Sequence, residues 1–125
     1  MALDVKGVDM DEKNVLITMN QAPYGSIYYT EGLRAAVGET SGIDEHKVNV
    51  VYLGDGAYFA IKGVDRKDTE TYIGTLKKAE NKLMVEKESL EERNIEESKI
   101  AEDVEIISRS EVLKLVQAAD VTIGF

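Results

Sequence analysis

The sequence predicts an α/β domain built on a five-stranded parallel sheet flanked by helices, and three observations carry that expectation. Continuous β-branched and apolar runs, NVLITM at Asn14–Met19 and VNVVYL at Val48–Leu53, have the pattern of strands covered on both faces. Segments with apolar residues at helical spacing separate such runs. Strand and helix then alternate along the chain, and strands joined by helical crossovers pair in parallel.

Residues 1–12 alternate Leu3, Val5 and Val8 with polar positions, which reads as an N-terminal tail or short edge strand outside a single domain spanning 13–125. The first strand runs into Asn20–Gly25, where the one proline, Pro23, and Gly25 force a turn. Ser26 is suited to cap a helix that turns Ile27, Thr30, Leu33 and Val37 toward the sheet before Gly38 and Gly42 end it. The second strand stops at Gly54, Asp55 and Gly56, and a short helix is expected over Ala57 to Ile61. Asp68 can cap the next helix, with Tyr72, Ile73, Leu76 and Ala79 on one face. Leu83–Val85 is the third strand, followed by a charged helical turn, Lys87 to Arg93, with Leu90 turned inward and Asn94 closing it. Val104–Ile107 is the fourth strand. Ser108 and Glu111 stand at capping-box spacing, opening a last helix whose apolar stripe is Val112, Leu113, Leu115, Val116 and Ala119. Asp120 ends that helix, and Val121–Phe125 is the fifth strand.

Charge and composition exclude several classes of function. The formal net charge is -9, and residues 86–105 hold nine acids against three bases, so -6 of it is local. Phosphate backbones are engaged by clustered Lys and Arg, so no direct nucleic-acid partner is expected. No apolar run approaches the roughly 20 residues a bilayer requires, and no basic start leads into an apolar stretch, so a cytoplasmic protein without a membrane span is expected. The absence of cysteine rules out disulfides, thiolate nucleophiles and persulfide carriage by the chain's own residues. Asp9, Asp11 and Glu12 lack the spacing and glycine of a calcium loop, and His46 among Asp44, Glu45 and Lys47 reads as a solvent-facing histidine. No metal and no cofactor are expected.

Ligands of open parallel sheets sit beyond the carboxyl ends of the strands, and three loops qualify here. The loop Asn20–Ser26, which holds Pro23, Tyr24, Gly25 and Ser26, can present backbone N–H groups at a helix N-terminus to an anion. Tyr24, Tyr28 and Tyr29 surround that loop as a ligand wall or, by preference, a subunit contact. In the second loop, Gly54, Asp55, Gly56 and Tyr58 form a turn needing positive φ that also brings a carboxylate to the edge. The third is Glu86–Ser89. The run Glu86, Glu88, Glu91, Glu92, Glu96 and Glu97 reads as a solvated helix face. Carboxylate chemistry by Asp55 and Glu86 ranks last among the functional readings.

Four segments in order, APYGSIYYTEGL at Ala22–Leu33, LGDGAYFAI at Leu53–Ile61, VEKESLEERNI at Val85–Ile95 and DVTIGF at Asp120–Phe125, resemble the DsrE/DsrF-like family, and within it the TusC/DsrF subunit type. The resemblance runs from Lys13 to Phe125. It implies a flavodoxin-like three-layer fold, assembly into homo- or hetero-oligomers as trimers or hexamers, and a part in handing persulfide sulfur between cysteines. It also implies, as partner, a cysteine-bearing DsrE-like subunit or a sulfur carrier protein. The family cysteine, at the start of the helical turn after the third strand, matches Glu86 here, and a carboxylate forms no persulfide. The resemblance therefore points to a non-catalytic subunit or scaffold of a sulfurtransferase complex. The alternative is a homo-oligomeric module that has lost sulfur transfer and binds an anion or nucleotide at the same edge.

Overall fold

The computed structural model describes residues 13–21, 32–37, 47–63, 70–78 and 80–125. Strand β1 (Asn14–Met19) buries every residue after Asn14, which is why its sequence is apolar almost throughout instead of alternating. It pairs in parallel with β2 (Lys47–Tyr52) on one side and with β5 (Val121–Gly124) on the other. Beyond β2 lie β3 (Leu83–Glu86) and β4 (Val104–Ile107), giving an all-parallel sheet of order β4-β3-β2-β1-β5. The three-layer arrangement is the expected one. Its strand order differs from the 2-1-3-4-5 of flavodoxin itself, because β1 to β4 lie consecutively and β5 returns to the far side of β1.

That order dictates what covers each face. Right-handed crossovers place successive links on one face while the strands march one way, and on the other face when the chain turns back. The first face accordingly carries helix α1 (32–37), a 3-10 helix at Gly54–Ala60, α2 (Glu70–Lys78) and α3 (Lys87–Glu92). Their Leu33, Ala36, Phe59, Ile73, Leu76 and Leu90 pack with Ile17, Val50, Tyr52 and Val85 of the sheet in one core. The opposite face meets α4 (Arg109–Ala118), whose Val112 joins Leu16, Val51, Met84 and Ile107 in a smaller core. Alternate residues of each strand thus feed different cores, as the pleat requires.

Most element positions agree with the sequence reading, including the Ser108/Glu111 capping box and the closure of α3 at Asn94, which takes a φ of 55°. Two expectations are corrected. The short helix after β2 is a 3-10 helix that begins at Gly54, with Gly54 at a φ of 52°. Its first turn packs against the end of β1, where Leu53 N–H donates to the Met19 carbonyl at 3.0 Å. The apolar stripe of α4 is also narrower than expected. Val112 is buried and Leu115 and Ala119 are half-buried, whereas Leu113 and Val116 are 57% and 40% exposed. A helix resting on one sheet buries only an apolar stripe about 100° wide, and those two residues fall on its flank. The tail 1–12, the turn at Pro23–Ser26, Gly38, Gly42, His46, Asp68 and Ala79 lie outside the described residues.

Two glycines test this packing from opposite directions. A Cβ at Gly56 would collide with the Met19 carbonyl, a backbone atom that cannot move aside, while one at Gly74 in α2 would meet nothing within 4 Å. Gly56→Ala is expected to destabilise the fold by about 2–3 kcal/mol. Gly74→Ala is expected to stabilise it by about 0.5–1 kcal/mol through helix propensity. Urea unfolding of both variants measures the pair, and equal effects would show that the turn does not press on β1.

Candidate functional site

Links that switch faces open a crevice at the carboxyl edge of an open α/β sheet. Here the switch falls between β3, whose α3 lies on the first face, and β4, which leads into α4 on the second. Glu86 ends β3 and Arg109 opens α4, so the crevice has an acid on one wall and a base on the other.

The two side chains meet. Arg109 Nε donates to Glu86 Oε2 at 3.1 Å and Arg109 Nη2 to Glu86 Oε1 at 3.0 Å, a two-pronged pairing that suits a planar guanidinium. Ser89 Oγ donates to Glu86 Oε1 at 2.6 Å, and Gly54 N–H in turn donates to Ser89 Oγ at 2.9 Å. Glu86 is only 6% exposed. Beside it, Arg93 donates from Nε and Nη2 to Asp55 Oδ1 at 3.2 and 3.0 Å, and from Nη1 to the Ser89 carbonyl at 3.2 Å. Glu88 and Glu92 complete the ring: Arg109 N–H donates to Glu88 Oε1 at 2.8 Å, and Arg109 Nη2 lies 3.4 Å from Glu92 Oε2.

Burial acts on Glu86 to favour the neutral acid and is the largest single influence. The hydrogen bonds from Arg109 and Ser89 and the charges of Arg109 and Arg93 together outweigh it, holding the carboxyl below its ordinary range. The same contacts push Arg109 further up from an already high value. The site is therefore ionised on both sides at neutral pH, with its opposite charges satisfied by each other.

Several sequence expectations are met and others are not. Glu86, Asp55, Gly54 and Ser89 are brought together at one edge, as the loop positions predicted. Gly56 is packed beneath the loop, and Tyr58 is half-buried in the same 3-10 helix. Glu86 does not belong to a solvated acidic face: its carboxylate turns into the fold, where it accepts from the Ser89 hydroxyl and from no backbone N–H of α3. Asp55 and Glu86 are each engaged by a separate arginine instead of with each other. Pro23, Tyr24, Gly25, Ser26 and Tyr28 lie outside the described residues. Arg109 and Arg93 were missed. The signal for Arg109 is its place directly after a strand and the cap residue Ser108, in a fourth loop at the same sheet edge.

This is an open parallel α/β sheet whose switch-point crevice is closed by the chain's own ion pair. The chain belongs to the DsrE/DsrF-like family, whose profile matches residues 13–125. Among solved structures it is similar to the YchN protein of E. coli, with a TM-score of 0.77 at 20% identity over 90% of this chain and 99% of that one. It is also similar to MTH1491 of Methanobacterium thermoautotrophicum, a protein of unknown function, with a TM-score of 0.66 at 10% identity over 92% of this chain and 100% of that one. These likenesses concern the fold. No curated protein matches the chain by sequence. Among the described residues, no helix is long and apolar enough to cross a membrane.

The depressed Glu86 carboxyl sets a pH dependence. A group whose folded pKa lies below its unfolded one adds stability above the unfolded value, near 4.5, and that stability is lost as pH falls through the folded value. Glu86→Gln is expected to be less stable than the parent by about 1–3 kcal/mol at neutral pH. The gap should shrink on acidification from about pH 5 to about pH 3. Urea unfolding across that range is the measurement, and a gap independent of pH would show that the charge of Glu86 contributes nothing.

Proposed function

We propose that the chain is a non-catalytic subunit of a sulfur-relay assembly, of the TusC/DsrF type, that supports a cysteine-bearing relative or a sulfur carrier protein without carrying sulfur itself. The observation that supports this reading is Glu86. By the family resemblance it matches the relay cysteine; the chain has no cysteine, and Glu86 is locked by Arg109 and Ser89 at the switch-point crevice. A carboxylate there has no chemistry with which to accept or release a sulfane sulfur. What it can do is fix the edge. The end of β3, the start of α3, the turn at Gly54 and the start of α4 all reach the Glu86–Ser89 pair through hydrogen bonds.

The reading of the same edge as a site for an anion or nucleotide has weaker support, because an incoming anion would have to displace a bidentate, largely buried carboxylate from Arg109. In the favoured reading, the rigid edge is a surface against which a partner's reactive thiol is placed. Assembly into a trimer or hexamer, alone or mixed, would supply that juxtaposition.

Two measurements check the proposal. The tagged chain, purified gently from its own cells and sized by light scattering, is expected to elute in an assembly that holds a cysteine-bearing family member or a small sulfur carrier. Elution as self-assembled chains alone would remove the basis for a scaffold role. Mass spectrometry after incubation with a persulfide donor is expected to show no added sulfur on the parent chain and one sulfur on Glu86→Cys, where Arg109 would favour the thiolate. Sulfur on the parent chain would overturn the non-catalytic reading.

A further inference from the structure

Away from the Glu86 crevice, the outer side of β5 is a second open feature of the fold. β5 ends the sheet beside β1, and its first residue, Val121, is 46% exposed. Phe125 N–H donates to the Thr18 carbonyl at 2.8 Å, and the Phe125 carbonyl accepts from Asn20 N–H at 2.7 Å, so Phe125 spends both backbone groups on β1. Alternate residues of a parallel strand bond to the same neighbour, which turns Val121 and Ile123 toward β1 as well. Thr122 and Gly124 therefore direct their N–H and C=O groups away from the sheet, and no hydrogen bond reaches those groups. Soluble proteins shield such edges with charge, proline or a bulge. The other edge strand, β4, holds Glu105, whereas residues 121–125 hold neither a charged side chain nor a proline.

This edge is complementary to itself. Set antiparallel to a second β5 about a two-fold axis at Ile123, Thr122 of each copy stands opposite Gly124 of the other. Opposed residues of this kind exchange both of their backbone hydrogen bonds, so every outward donor and acceptor of the two strands is used. The side chains agree with that register. Val121 and Ile123 lie on the same face as their β1 neighbours Val15 and Ile17, which line the larger core, and Ile123 and Phe125 pack against it. Across the junction Ile123 meets its own counterpart and each Val121 meets a Phe125, so apolar side chains are paired along the whole contact. A strand of unrelated sequence has no reason to reproduce this match, whereas a second copy does so by symmetry.

We infer that two copies of the chain join edge to edge through β5, antiparallel about a two-fold axis at Ile123, and merge their five-stranded sheets into one continuous sheet. β1 and β2 separate β5 from β3, which carries Glu86, so this contact and the scaffold role can each fail without the other.

The native chain, sized alone by light scattering, is expected to contain an even number of copies, and Thr122→Pro is expected to halve that mass. Proline suits this position because the Thr122 N–H bonds to nothing within the chain, and melting curves are expected to show the variant folded. Because the chain has no cysteine, one introduced thiol reports the contact without background. Ile123→Cys meets its counterpart at about 4.5 Å between Cα atoms, within disulfide reach, and should oxidise to a linked pair. Thr122→Cys lies diagonally from its counterpart, farther than a disulfide spans, and should stay single. The inference is overturned by a native chain with an odd number of copies, by a folded Thr122→Pro of unchanged mass, or by Ile123→Cys chains that stay single. It is overturned likewise by a monomer in which the Thr122 and Gly124 amides exchange hydrogen slowly, since the edge would then be covered by the chain's own residues 1–12.

Discussion

Burying a carboxylate at the end of β3 imposes the constraint on which the carboxyl edge of this fold depends. An ionised group as shut away as Glu86 must be matched by donors or give up its charge. Arg109 supplies two donors in one plane and Ser89 a third, and with them come positional demands. The demand on Arg109 fixes where α4 starts relative to β3, and the demand on Ser89 fixes the first turn of α3 and, through Gly54, the loop after β2. A single charge therefore coordinates elements separated by more than fifty residues of sequence. Such a pair adds little net stability over an apolar filling, but breaking it leaves the remaining charge exposed to its full desolvation cost. The interaction is better understood as setting geometry than as supplying energy.

The same pair explains part of the acidic segment. Arginine in the first turn of a helix opposes the helix dipole, whose positive end lies there. The chain counters this with carboxylates from outside the helix: Glu86 and Glu92 on the guanidinium, and Glu88 on the backbone N–H of Arg109 itself. Glu111 adds a fourth within the capping box. Three acids from the end of β3 onward thus gather around the N-terminus of α4, where negative charge is electrostatically favoured. The acids farther along, Glu96 and Glu97, are exposed and match the solvated-face reading.

What could be read in the sequence was whatever local chemistry decides. Buried strands announce themselves by uninterrupted apolar runs, a capping box by two residues three apart, and the end of α3 by an asparagine that tolerates positive φ. The layered parallel architecture followed from alternation and handedness alone. Strand order did not, because it is decided by which runs find each other across long loops. The Glu86–Arg109 pair inherits that difficulty, since the two residues are 23 apart in sequence and adjacent only because β4 lies beside β3. Without the order, Glu86 can be placed at the carboxyl edge, but its arginine partner cannot be named. The flank of α4 was misjudged for a related reason: Leu113 and Val116 have helical spacing with the buried residues, but among the described residues no second element covers that flank.

Similarity at 10 to 20% identity to proteins of the same fold says that these layers are reproducible from very different residues, and nothing about chemistry. Function has to be argued from the groups at the edge. At the point where strand connectivity would open a crevice, this chain has placed an acid and a base that neutralise each other, with their donors and acceptors already spent. A crevice so filled offers a reactant neither an unpaired nucleophile nor a free proton carrier. The scaffold role proposed above asks for rigidity more than reactivity, and a staple of opposite charges across four elements supplies it.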